Sequence, residues 1–225
     1  MIRLGAGRLD RLVALGAHCD DIAIGAGGTL LALCRARPGL RVEALVLSGG
    51  GGEREREERA ALAAFCPGAD LRLTVLKLPD GRLPAHWDEA KSAVEELRER
   101  ADPDLVLAPR ADDAHQDHRG LAQLVTTAFR DHLVLGYEIV KWDGDLGRMT
   151  AYQPLAPETA EEKVRLLQEH YPSQRHRPWY DREAFLGLAR IRGIECHARY
   201  AEAFAVTKLT LNLNPNLNPN PDLGD

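Results

Sequence analysis

Over its first 140 residues the chain alternates between two local patterns, and this restricts its fold more than any other feature. Short segments rich in Val and Leu occur at 12–17, 42–47, 71–78 and 104–108, with helix-like stretches at about 25–37, 53–66, 86–101 and 118–131 between them. Repeated strand-then-helix order predicts an α/β fold: a mostly parallel sheet flanked by helices in three layers. Segment 42–47 is nearly all apolar, as a strand covered on both faces must be. Turn signals fall where this scheme needs them: Pro38-Gly39, Gly49 to Gly52, Pro79-Asp80-Gly81 and Asp102-Pro103-Asp104. The helix at 53–66 opens with acidic residues, which its dipole favours.

Beyond a fifth strand at 133–140 the pattern changes. Residues 141–157 read as a loop, 158–170 and 181–192 as helices, and 203–211 as a last strand or extended arm. The 225 residues suit one domain, assigned to 1–211, followed by an Asn/Pro-rich tail at 212–225 that offers no means of burying a core and is expected to be flexible.

Several function classes are disfavoured. The net charge of -5 and the interspersed Lys and Arg give no basic patch for nucleic acid. No apolar stretch reaches the roughly 18 residues of a membrane span, and the N-terminus lacks the pattern of a secretory signal. Cys19, Cys34, Cys66 and Cys196 match neither a paired CxxC zinc site nor a disulfide framework, and read as reduced thiols in a cytoplasmic protein.

Ligands of an open parallel sheet bind beyond the carboxyl ends of its strands. Two polar clusters fall there: His18-Cys19-Asp20-Asp21 after the first strand, and Asp112-Asp113-Ala114-His115-Gln116-Asp117-His118 after the fourth. Taken singly, each is more often a polar turn or helix cap. Taken together they offer what a catalytic zinc needs: three protein ligands of the His and Asp kind, with one carboxylate and one imidazole left over as base and acid. Spacing alone does not say which residue takes which role. The glycines at 25, 27 and 28 do not make a dinucleotide fingerprint, and read instead as permitting close helix packing.

At these residues the chain resembles the PIG-L/LmbE family of zinc-dependent N-acetylglucosaminyl deacetylases. AHCDDIAIGAGGTL is similar to the family's AHPDDE-type motif and AHQDHRG to its HPDH motif. GGGGEREREERAAL, LPDGRL and the closing RGIECHARYAEAF extend the likeness to about residues 10–206. The resemblance implies a Rossmann-like sandwich, Zn2+ held by His18, Asp21 and His118, Asp20 as general base, and His115 as oxyanion stabiliser or proton donor. It implies as substrate a small amino-sugar conjugate that loses an N-acyl group, with assembly into a homo-oligomer possible. Cys19 and Gln116 stand where the family has Pro, and Ile22 where it has Glu.

Other roles stay open. Asp117 either orients a ligand histidine or caps the next helix. Arg56 and Asp80 either contact a sugar hydroxyl or are solvated. Trp179 and Tyr180 either stack on a sugar ring or anchor their segment, and Cys19 is a soft ligand, a nucleophile or neither. Rival readings are an amidase for a non-sugar amide, a non-catalytic sugar-binding relative, and a nucleotide-binding transferase. The last needs a glycine fingerprint where His18 and two carboxylates stand.

Overall fold

The computed structural model describes residues 9–211, so the first eight residues and the tail at 212–225 lie outside it. Its parallel core comprises β1 (Arg11–Gly16), β2 (Arg41–Ser48), β3 (Asp70–Leu78), β4 (Leu105–Pro109) and β5 (Val134–Tyr137). The helices are α1 (Asp21–Ala36), α2 (Glu53–Phe65), α3 (Trp87–Ala101), α4 (Gln116–Ala128), α5 (Pro157–His170) and α6 (Arg182–Glu195). β6 (Ala151–Leu155) and β7 (Tyr200–Ala205) complete one seven-stranded sheet in the order β3-β2-β1-β4-β5-β7-β6, with β7 antiparallel to both neighbours. The α/β sandwich expected from strand-helix alternation is borne out.

Alternation along β1 shows why the sheet is covered on both sides. Leu12 and Ala14 enter one apolar cluster, with side chains of α1, α2, α5 and α6. Val13 and Leu15 enter the other, with α3 and α4. Burying each Leu or Val in this way contributes about 1.5–3 kcal/mol, against the entropy of ordering the chain.

Two expectations need correction. Residues 151–155 form a strand inside the segment read as a loop; Pro154 hides it, and is tolerated because β6 is the sheet's edge. Helix α1 begins at Asp21 rather than near 25, since its glycines belong to the helix. A Cβ on Gly25 would stand 2.1 Å from Tyr137 Cδ2, and one on Gly27 2.7 Å from Phe65 Cε1. Both glycines let α1 lie close against its neighbours, as the sequence suggested.

The chain builds outward from β1 through β2 to β3, then crosses back to place β4 on the other side of β1. The order therefore reverses between β1 and β4, where an open α/β sheet presents its ligand crevice. Both polar clusters leave the sheet at that point.

Candidate metal and catalytic site

The β1–α1 junction is a tight turn. Asp20 takes a left-handed φ of 104° before α1, and its N–H donates to Glu58 Oε2 at 2.8 Å. Asp21 Oδ2 accepts from the backbone of Ala17 at 2.9 Å and His18 at 2.8 Å, which fixes the carboxylate at the helix start. Across the crevice, His115 is the N-cap of α4, its Nδ1 accepting from Asp117 N at 3.2 Å. His118 follows in the first turn of that helix.

These two junctions bring the sequence-predicted residues together. His18 Nδ1 lies 3.1 Å from His118 Nε2 and 3.5 Å from Asp21 Oδ2, and His118 Nε2 lies 3.3 Å from the same oxygen. Ligands 2.0–2.1 Å from a tetrahedral metal stand roughly 3.3 Å from one another, so this triangle has the dimensions of such a site. His115 is close as well: its ring centroid is 4.9 Å from that of His18 and 4.7 Å from that of His118. The imidazoles of His18, His115 and His118 offer nitrogens near enough to share an ion, as do His18, Asp80 and Asp117.

The far side of both His18 and His118 meets a carboxylate. Asp117 Oδ2 is 3.2 Å from His18 Nε2, with Asp80 Oδ1 at 3.0 Å. Asp117 also accepts from Gly81 N and Leu83 N, so it ties the β3–α3 turn to the site, while the cap of α4 is His115. Asp113 Oδ1 is 3.1 Å from His118 Nδ1 and is itself 3.1 Å from Lys141 Nζ. Carboxylate–imidazole contacts of this kind set the tautomer and orientation of metal ligands.

Electrostatically the cluster is built to hold positive charge. Burial works against the charge of His18, yet Asp21, Asp117 and Asp80 hold its pKa well above the ordinary value. Burial likewise opposes charge on His118, which Asp21 and Asp113 nonetheless raise to about 9. Burial resists ionisation of Asp21, but His118 and His18 keep it well below the usual carboxylate range. A divalent cation would replace these protons on the same donors. His115 differs: burial and the neighbouring His118 and His18 lower its pKa, leaving a neutral ring. Because its Nδ1 accepts a backbone hydrogen bond, its proton sits on Nε2.

Asp20 is raised to about 7 by burial, against the pull of Arg54, whose Nη2 stands 2.8 Å away. Arg54 also pairs with Glu57 at 2.6 Å and bonds the carbonyl of Cys19. For Arg56 the solvated alternative fits the structure better than contact with the cleft. Arg56 is exposed on α2 and away from the cleft, whereas Arg54, two residues earlier and so on another face of the helix, lines it. Asp80 lines the cleft beside His18. Tyr180 anchors its segment through a hydroxyl bond to Leu167 O at 3.1 Å, while Trp179 lines the cleft. Cys19 donates to Ser48 O at 3.4 Å, and burial and Glu58 push its thiol up, which suits neither a nucleophile nor a thiolate ligand. Ile22 is a fully buried core residue. Gln116 bonds Gly81 O at 3.1 Å.

Besides Arg54, two residues went unrecognised in the sequence. Glu58, fully buried, accepts from Asp20 N and from Tyr171 OH at 2.7 Å. It shares a helical face with the buried Ala61, Leu62 and Phe65, a spacing that marks an inward position within an otherwise charged run. Asp113 was visible only as one of several acidic residues in its loop.

A family model described as PIG-L, GlcNAc-PI de-N-acetylase, matches residues 13–129. The chain belongs to the PIG-L family. The resemblance drawn from the two histidine motifs is thus borne out, and the family is one of deacetylase enzymes. Within it, the chain is 30% identical over 139 residues to the uncharacterized deacetylase YaiS of Escherichia coli (strain K12), a match covering 56% of this chain and 72% of that protein. Among solved structures, the N,N'-diacetylchitobiose deacetylase from Pyrococcus horikoshii superposes with a TM-score of 0.70 at 19% identity, covering 88% of this chain and 84% of that one. GalB, the 4-carboxy-2-hydroxymuconate hydratase from Pseudomonas putida KT2440, does so with a TM-score of 0.71 at 18% identity, covering 91% and 99%. At these identities the two superpositions speak for the fold alone; a hydratase shares it, so the deacetylase assignment rests on the family model and the curated relative. No helix among the described residues is long and apolar enough to cross a membrane.

Proposed function

We propose that this PIG-L protein is a zinc-dependent N-deacetylase that hydrolyses an acyl group, normally acetyl, from a glucosamine-like sugar. The observation that carries this reading is the triangle of His18 Nδ1, Asp21 Oδ2 and His118 Nε2 with edges of 3.1, 3.3 and 3.5 Å. Asp21 is the better third ligand than His115, because its Oδ2 stands 3.3 Å from His118 Nε2 and 3.5 Å from His18 Nδ1 and so closes the triangle. When bound, zinc supplies Lewis-acid polarisation and activation of water.

The chain's own residues divide the remaining work. Asp20, poised near neutrality, takes a proton from the water that adds to the acyl carbon. His115 donates from Nε2 to the oxygen that gains charge, or to the nitrogen that leaves as the C–N bond breaks. The products are the free amine and a carboxylate. The sugar itself is argued from the activity by which the family is described, de-N-acetylation of a GlcNAc conjugate. The four buried thiols fit the reducing cytoplasm.

The test is metal analysis of the purified protein together with amine release from N-acetylglucosamine derivatives. About one zinc per chain, lost in His118→Ala, and activity lost in Asp20→Asn with zinc retained are the expected results. Full activity in a chelator-stripped protein would refute the reading.

A further inference from the structure

Away from the cleft, two cysteines meet in the core. Cys34 lies in the last turn of α1, and Cys66 is the first residue beyond α2. Both are free thiols, 1% and 4% exposed, and their side chains hydrogen-bond to each other. The backbone beyond the two helices holds these ends together. Gly39 N, after α1, donates to Gly68 O, after α2, at 2.8 Å, and Asp70 N donates to Leu40 O at 2.9 Å. The other two thiols are placed differently, since Cys19 donates to Ser48 O and Cys196 to Gly193 O.

The pair is chemically asymmetric. The hydrogen bond from Cys66 holds the Cys34 thiol below its ordinary pKa, whereas the same bond and burial push Cys66 up. Cys34 is therefore the sulfur that ionises and attacks, and Cys66 keeps its proton until its partner has reacted. Burial shields both from large reagents, but Cys66 sits at a helix end beneath half-buried Pro67 and exposed Gly68. Local opening costs least at such ends, which gives a small oxidant its way in.

The two helices also carry the candidate site. At its other end, about 20 Å from Cys34 along the helix, α1 begins with Asp21. From α2, Arg54 pairs with Asp20 and Glu58 accepts from the Asp20 N–H. A covalent link between the far ends of α1 and α2 clamps both helices without entering the cleft.

We propose that Cys34 and Cys66 are a redox-active dithiol that hydrogen peroxide closes to a disulfide, clamping α1 to α2. The Cys34 thiolate attacks one peroxide oxygen, the O–O bond breaks, and Cys34 becomes a sulfenic acid as the first water leaves. The Cys66 sulfur then attacks the Cys34 sulfur and the S–O bond breaks. The Cys66 proton departs with that hydroxyl as a second water. Two thiols lose two electrons, and one peroxide is reduced to two waters. The inference goes beyond the deacetylase reading and stands whether or not that reading holds, because neither thiol belongs to its machinery.

The experiment treats the purified full-length protein with hydrogen peroxide and reads free thiols, peptide linkage by mass spectrometry, and thermal unfolding. Half of the four thiols should disappear, with the Cys34 and Cys66 peptides joined, and dithiothreitol should restore them. The oxidised chain should unfold roughly 5–10 °C higher, because the bridge closes the loop from 34 to 66. Cys66→Ser should show no such rise and should leave Cys34 as a sulfenic acid that dimedone labels. Cys34→Ser should form neither the bridge nor that label. All thiols surviving the peroxide, a bridge to Cys19 or Cys196 instead, or an unfolding midpoint that oxidation does not raise would each overturn the proposal. Linkage mapping on the wild-type chain decides the matter even where a serine variant fails to fold.

Discussion

The backbone N–H of Asp20, held at a φ of 104°, donates to the carboxylate of the fully buried Glu58 at 2.8 Å. A left-handed backbone at a non-glycine residue carries strain of order 1–3 kcal/mol and persists only where surrounding contacts impose it. Glu58 is such a contact, and it is braced from the other side by Tyr171 OH. Burial pushes its pKa from 4.5 to about 8.

Glu58 therefore predicts a pH dependence of stability. Between pH 4.5 and 8 the folded chain keeps this proton and the unfolded chain does not, so stability falls as pH rises through that window and levels off above it. The slope from this group is at most about 1.4 kcal/mol per pH unit. Urea denaturation at pH 5 and pH 8.5 should show Glu58→Gln gaining on wild type at the higher pH. Glu58→Ala, which leaves Asp20 N–H unsatisfied, should cost about 1–3 kcal/mol at either pH.

Metal affinity should depend on pH in the opposite sense. Protons on His18 and on His118, the latter raised to about 9, must leave before a divalent ion binds. Apparent zinc affinity should thus rise from pH 6 to pH 9, with proton release visible by calorimetry in buffers of different ionisation enthalpy. Affinity that is flat with pH would mean that these imidazoles are not the ligands. Asp113→Asn should weaken zinc binding by about 10- to 100-fold, since Asp113 orients His118.

Asp20→Asn separates catalysis from binding. The variant should retain zinc, because Asp20 is paired with Arg54 and stands outside the ligand triangle, yet lose about 10²- to 10⁴-fold in kcat. His115→Ala should lose a similar factor and likewise keep its metal. Loss of zinc in His115→Ala would make His115 a ligand and overturn the division of roles.

Much of this site was legible because strand-helix alternation fixes which junctions share a rim. His18, Asp20 and Asp21 follow β1, His115 and His118 follow β4, and those strands are neighbours. What escaped depended on the third dimension. Arg54 and Arg56 differ by two residues in an almost periodic charged run, and only the rotation of α2 against the sheet separates them. Glu58 reads as one more surface charge until its apolar helical neighbours are placed. β6 was hidden by Pro154, whose tolerance depends on being at an edge, and edge position is a property of the whole sheet.

A last prediction concerns the interior that holds α1, and so Asp21 at its start, in place. Glu202 of β7 accepts from Gly28 N at 2.8 Å, Thr29 N at 2.7 Å and Thr29 Oγ1 at 2.6 Å. Lys163 of α5 donates to the same carboxylate and to Ile24 O, each at 2.6 Å. The pair thus bonds into the backbone of α1 itself and links it to the antiparallel end of the sheet. Removing one member leaves the other charge buried and unpaired, which typically costs about 3–5 kcal/mol. Glu202→Ala and Lys163→Ala should each be destabilised to that extent, while Glu202→Gln with Lys163→Met together should cost far less than the sum. A double-mutant cycle by denaturation gives the coupling directly. Additive losses would mean that the two residues act on α1 independently, each through its own backbone bond.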